Sequence, residues 1–131
     1  MSPEEVRQIL ERFLGEKDYT HFLRNFVRGA RPKGRLMYWQ EKALSAAGLH
    51  LTFEDCIPIF NLCYVHRLPL SRRVVPIRRD VWDIRYSLEF EKACGQSFPY
   101  ALTELFGSAT TNEVDHCPEC VRQREQYVAR T

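Results

Sequence analysis

Cys63-Tyr64-Val65-His66 and, after 50 intervening residues, Cys117-Pro118-Glu119-Cys120 are the two stretches that decide the fold expected for this sequence. A gap of two residues lets both ends of a tight turn face one ion, and two such turns complete the tetrahedron that structural zinc prefers. Either half is common by itself. Together they predict one Zn²⁺ held by Cys63, His66, Cys117 and Cys120.

The order of the predicted elements supports this pairing. Residues 74–77 form an apolar run rich in β-branched side chains and follow the first half-site, whereas residues 110–116 form a weaker strand that precedes the second. In an antiparallel pair the start of one strand lies beside the end of the other, so both half-sites meet at one end of a sheet. Pro76 predicts an edge strand. A final helix over 121–129 would direct its first N–H groups at the sulfurs.

The N-terminal half has the apolar spacing of helices. Ser2 and Pro3 begin a helix that ends at Gly15, and further helices are predicted over 18–27, 36–47, from Thr52 onward, and 82–93, with a loop over 29–34. Pro58 either kinks the helix after Thr52 or marks a start nearer Asp55. The predicted class is α+β, mostly helical. We expect one domain over 1–131, with a helical part over 1–50 and a zinc-stapled part over 51–131.

Composition favours a cytoplasmic location. The five cysteines are an odd number, which argues against a closed set of disulfides. The chain begins without a basic and apolar leader, and it has no apolar run of about 18 residues, the length that predicts a membrane span.

The predicted site leaves two substitute ligands and two other interpretations open. His116 adjoins the second half-site and is the first substitute, and Cys56 precedes Cys63 by two helical turns. The cysteines could instead be small core residues, or the Cys-x-x-Cys pair could be a redox motif that lacks its usual strand-to-helix context. Four protein ligands would fill the coordination sphere, so the ion would be structural and no catalytic residue is predicted.

Two basic segments stand out against an otherwise acidic chain. Residues 24–35 and 67–79 hold ten of the 19 Lys and Arg residues and none of the 17 Asp and Glu residues. Such segments are typical of a surface for an anionic partner, although solvated loops carry charge as well. The candidate partner-binding residues are Arg28, Arg31, Lys33, Arg35, Arg67, Arg72, Arg73, Arg78 and Arg79.

From about Trp39 onward the chain resembles a group of small, uncharacterised bacterial zinc-binding-like proteins. The shared motifs are Trp39-Gln40-Glu41-Lys42, Cys63-Tyr64-Val65-His66, Pro69-Leu70, Val75-Pro76-Ile77, Phe98-Pro99-Tyr100-Ala101 and Cys117-Pro118-Glu119-Cys120. The resemblance implies a common zinc-stabilised fold and no activity. The chain departs from the group after Val75-Pro76-Ile77, where Arg78-Arg79-Asp80 replace the usual glycine.

Three classes of function follow from these features. The first is a non-enzymatic zinc-stabilised binding module for a macromolecular partner, with a protein as first choice, of inhibitor, immunity or adaptor type. The second is a nucleic-acid-binding zinc protein, since Tyr38, Trp39, Tyr64 and Trp82 lie near the basic segments. The third is a metal-dependent nuclease suggested by Asp115-His116, but residues 121–130 lack the His, Asn or Asp that its second metal site needs.

Overall fold

A computed structural model describes residues 1–78, 92, 95–97, 101–102 and 111–129. The chain consists of two compact units, Met1–Tyr64 and Val65–Thr131, which are described separately below. The predicted α+β, mostly helical class is confirmed. The helix after Thr52 belongs to the first unit, because it packs against the N-terminal helix. The boundary between the two units falls after residue 64, while a single domain over 1–131 with parts 1–50 and 51–131 remains a prediction.

The first two helices of the first unit are separated by one glycine. Helix α1 (Pro3–Leu14) begins as predicted, since the Ser2 hydroxyl accepts a hydrogen bond from the Glu5 N–H at 3.2 Å. Gly15 then adopts a φ of 85°, a backbone conformation that a side chain would disfavour. Helix α2 (Glu16–Asn25) starts directly after it and packs on α1.

The predicted loop over 29–34 is largely helical instead. A turn of π-helix, Phe26–Ala30, continues α2, and a short 3-10 helix, Arg31–Lys33, follows it. The prediction was wrong here because Phe26, Val27 and Ala30 are buried, and their burial outweighs the turn propensity of the neighbouring glycines and proline.

Two further helices complete the first unit. Helix α3 (Tyr38–Ala46) is shorter at each end than predicted. Helix α4 (Phe53–Phe60) is capped by Thr52, whose hydroxyl accepts from the Asp55 N–H while the Asp55 carboxylate accepts from the Thr52 N–H. Pro58 lies inside α4, so a start nearer Asp55 is excluded.

The core of the first unit is aromatic. Phe22, Phe26 and Phe60 are completely buried. The ring of Phe60 meets Phe22 at a centroid distance of 5.1 Å and Phe26 at 6.3 Å, both edge to face. This is the arrangement that aromatic quadrupoles favour, and it joins α2, the π-helical turn and α4 through one cluster.

The second unit contains a small sheet with strands β1 (Ser71–Arg78), β2 (Ala101–Leu102) and β3 (Thr111–His116) in the order β2-β1-β3. The predicted antiparallel pair is confirmed, with Ser71 opposite His116 and Pro76 opposite Thr111. The prediction that β1 is an edge strand is wrong, because β2 pairs with it in parallel. Among the described residues that pairing joins Ile77 to Ala101 and Arg78 to Leu102, whereas Pro76 pairs with Thr111 of β3.

Helix α5 (Pro118–Ala129) ends the described part of the second unit and starts three residues earlier than predicted. The helix predicted over 82–93 lies outside the described residues except for Lys92, which is helical. Within the parts of the chain listed above, no helix is both long and apolar enough to cross a bilayer.

Candidate metal centre

The structure brings together the four residues predicted to bind zinc. One ligand atom from each of Cys63, His66, Cys117 and Cys120 lies within 4.8 Å of all the others. The three cysteines have no exposed surface, and His66 is half-buried. Sulfur and imidazole nitrogen at this spacing form the donor set that one borderline divalent ion prefers.

The imidazole of His66 faces the sulfurs through its Nδ1 atom. Nδ1 lies 3.3 Å from the Cys120 Sγ and 3.7 Å from the Cys117 Sγ. Metal–sulfur bonds of about 2.3 Å and metal–nitrogen bonds of about 2.0 Å place N and S about 3.5 Å apart in a tetrahedron. The two observed distances bracket that value, so these side chains fit around one tetrahedral ion through Nδ1.

Strand register explains how residues far apart in sequence converge. Ser71 pairs with His116, so the entry to β1 and the exit from β3 lie side by side. Four residues separate His66 from the start of β1, and Cys117 directly follows β3. The convergence predicted from the element order is therefore confirmed.

The second half-site lies at the N-terminus of α5. Cys117 is the capping residue, since its carbonyl accepts from the Val121 N–H at 3.0 Å, and Cys120 is the third residue of the helix. Pro118 occupies the first helical position, where a missing N–H costs nothing. The positive end of the helix dipole favours negative charge on both sulfurs. The helix thus contains the half-site, whereas the sequence predicted that it would follow it.

Gln96 supports this half-site and has no counterpart in the sequence prediction. Its backbone carbonyl accepts from the Cys117 N–H at 2.9 Å, and its side-chain amide donates to the Asp115 carbonyl at 2.7 Å. The side chain is completely buried. Gln96 therefore holds the backbone on both sides of His116, which fixes the position of Cys117. Nothing in the local sequence distinguishes this glutamine from an ordinary turn residue.

We expect Gln96→Leu to weaken metal binding by about 10–100-fold, the usual effect of losing an outer-sphere support. Competition with a chromophoric chelator measures this. Gln40→Leu is the matched control, because Gln40 is also completely buried but bonds to Phe22 in the first unit. Equal metal affinity in the two variants would contradict the role of Gln96.

Neither substitute ligand belongs to the cluster. His116 bonds through Nδ1 to the Ser71 carbonyl at 2.9 Å, across the end of the sheet. Cys56 is a free, completely buried cysteine of α4. Burial, reinforced by the charge of Asp55, raises the pKa of its thiol to about 12, so Cys56 remains a neutral thiol at physiological pH.

Several cations of the two basic segments already have contacts within the described residues. Arg72 binds the carboxylate of Glu113 at 2.6 Å and that of Asp115 at 3.5 Å. The Arg28 guanidinium lies 5.3 Å from the centre of the Tyr64 ring, and Arg31 bonds to Asn61.

The other candidate cations differ in their surroundings. Lys33, Arg35 and Arg73 are exposed. Arg67 is half-buried and adopts a φ of 58°, which is uncommon for a residue with a side chain. The Arg78 side chain and all of Arg79 lie outside the described residues. The two predicted segments are therefore not equivalent as binding surfaces.

Glu119 and Arg122 form a local ion pair on α5. Hydrogen bonds from Arg122 and then Gln123 lower the pKa of the Glu119 carboxyl to about 2. The charge of Arg122 is consequently engaged by Glu119.

Comparisons of the chain with protein-family models, with curated proteins and with solved structures gave no match. The geometry of the site therefore carries the functional argument by itself.

Proposed function

We propose that this chain is a non-enzymatic, zinc-stabilised binding module for a macromolecular partner, with a protein as the first candidate. The observation that carries the proposal is the clustering of three buried cysteines with the Nδ1 face of His66. Thiolate and imidazole donors in tetrahedral arrangement are the usual ligands of structural Zn²⁺.

A full set of protein donors supports a structural role for the ion. Catalytic zinc sites keep one coordination position for water or substrate, whereas four protein ligands leave none. Three thiolates and a neutral imidazole would give the zinc complex a net charge of about −1. The N-terminus of α5 stabilises that charge. Function would then reside on the surfaces of the folded chain, as in an inhibitor, immunity protein or adaptor.

The thiols suit a reducing compartment, so we place the protein in the cytoplasm. The described cysteines Cys56, Cys63, Cys117 and Cys120 are thiols rather than disulfides. Cytoplasmic glutathione and thioredoxin keep such thiols reduced and available to a metal. Membership of the bacterial group with the shared Cys-x-x-His and Cys-Pro-x-Cys motifs forms part of the same proposal.

Metal analysis tests the zinc assignment. We expect about one Zn²⁺ per purified chain, the capacity of one four-ligand site. After replacement with Co²⁺, the spectrum should show tetrahedral d–d bands and a thiolate-to-cobalt charge-transfer band. Cys117→Ser should weaken the charge-transfer band and lower the metal content. Cys56→Ala is the control and should leave both unchanged. A chain without stoichiometric metal and without the cobalt–thiolate band would refute the assignment.

A further inference from the structure

One aromatic side chain just after the first basic segment projects into solvent. Tyr38, the first residue of α3, is 71% exposed. Two other aromatic residues near the basic segments are less available to a partner. Tyr64 is buried. Trp39 packs edge to face on Phe22 at a centroid distance of 5.8 Å and stacks on His21 at 5.1 Å. An exposed tyrosine on a rigid helix is the kind of residue that dominates protein–protein interfaces.

Cations surround this tyrosine. The Lys42 ammonium lies 5.0 Å from the centre of the Tyr38 ring. Lys33 and Arg35 are exposed, and neither side chain contacts a carboxylate in the part of the chain that the structure describes. Arg72, by contrast, is held by two acids in the second unit. The exposed cations Lys33, Arg35 and Lys42 thus place positive charge beside the Tyr38 ring.

Two hollows share Arg35, Leu36 and Glu41 in their walls, and Tyr38 lines the first of them. The first has a volume of about 390 Å³ and lies between Lys33 and Tyr38. The second has a volume of about 420 Å³ and extends over Leu44 and Leu49 towards α4. Apolar residues among basic ones form a recess that accepts an apolar side chain, with carboxylates bound at its rim. We name Lys33, Arg35, Leu36, Tyr38, Glu41 and Lys42 the Tyr38 surface.

The charge pattern favours a protein over a nucleic acid as the occupant. Glu41 is exposed and lines both hollows, where it would repel a continuous row of phosphates. The net charge of the whole chain is only +2, whereas dedicated nucleic-acid binders are strongly basic. A peptide can set carboxylates beside the cations and keep its own acids away from Glu41.

We propose that the Tyr38 surface binds an acidic protein segment, which places carboxylates against Lys33 and Arg35 and an apolar side chain in the hollow beside Tyr38. This proposal rests on the binding-module function and specifies the chemistry of its partner. It does not involve the metal ligands, so each proposal can fail without the other.

Selection of short random peptides displayed on phage against the full-length, zinc-loaded chain tests the surface. We expect enrichment of peptides that carry several Asp or Glu residues beside one large apolar residue. Synthetic copies of the enriched peptides should bind at least about tenfold more weakly to Tyr38→Ala, the loss typical of an interface hot spot. Arg35→Glu should weaken binding similarly, and peptides with Lys in place of the acids should recover affinity for that variant.

Phe13→Ala is the matched control, since Phe13 is another exposed aromatic residue, on α1, with 53% exposure. It should bind the peptides like the unaltered chain, and every variant should retain its zinc. Absence of acidic enrichment on a zinc-loaded chain would overturn the Tyr38 proposal and leave the zinc assignment intact. Equal peptide binding by Tyr38→Ala would also overturn it. If a labelled thymidine oligonucleotide bound more tightly than the peptides, and Tyr38→Ala weakened that binding, the Tyr38 surface would instead be a nucleic-acid site.

Discussion

Cys117→Ser is expected to lower the free energy of unfolding by about 4 kcal/mol or more, a loss typical of removing a structural metal. The remaining sulfurs of Cys63 and Cys120 and the imidazole of His66 would lose the ion that satisfies them, and the entry to β1 would lose its cross-link to the start of α5. Thermal unfolding followed by near-ultraviolet circular dichroism measures the change. A strong chelator acting on the unaltered chain should produce a loss of similar size.

The chelator also provides the control for this result. It should have little further effect on the Cys117→Ser variant, because that variant has already lost its metal. Zinc added back to the chelated, unaltered chain should restore its melting temperature. Identical melting of chelated and zinc-loaded protein would contradict a structural ion.

Phe60→Ala should destabilise the first unit by about 3–5 kcal/mol, the usual effect of truncating a buried phenylalanine. Phe60 is completely buried and meets both Phe22 and Phe26 edge to face. Its removal leaves a cavity between α2, the π-helical turn and α4, and it removes two aromatic contacts. Urea denaturation monitored by far-ultraviolet circular dichroism measures this loss.

Phe13→Ala is the natural comparison for Phe60→Ala. Because Phe13 is 53% exposed, its truncation should change the stability by no more than about 0.5 kcal/mol. Similar effects of the two substitutions would show that the aromatic cluster does not organise the core.

The candidate metal centre was predictable because both the spacing of the ligand residues and the order of the strands between them can be read from the sequence. Two pairs of ligand residues with fixed spacing predicted the donor set, and the order of half-site, strand, strand and half-site predicted their meeting. The Ser71–His116 register confirms that reasoning. The capped starts of α1 and α4 were predictable for a similar reason, since Ser2 and Thr52 bond to backbone groups only three residues away.

Features that depend on tertiary contacts were not predictable. Strand β2 has only two residues, too few to show any alternation. The π-helical turn is stabilised by the burial of Phe26 and Ala30 in a glycine-containing segment. Gln96 acts through its backbone carbonyl as well as its amide, and any residue type could supply that carbonyl.

The pattern of charged residues predicted where the cations lie in the sequence, but not which of them are available to a binding partner. The two basic segments look alike in sequence, with five cations each. In the structure Arg72 is held by Glu113 and Asp115 of the neighbouring strand, a pairing that depends on the strand register. Lys33 instead ends the short 3-10 helix and Arg35 follows it, and both line the hollow beside the exposed Tyr38.

The 50 residues between His66 and Cys117 also determine when the centre can form during protein synthesis. At a translation rate of about 5–20 residues per second, the second ligand pair leaves the ribosome roughly 3–10 s after the first. Throughout that interval the nascent chain presents only Cys63 and His66 of the four donors, and other metals or thiols can react with them. Under the proposed zinc assignment, the reducing power of the compartment and its supply of free zinc during those seconds would influence the yield of correctly folded protein.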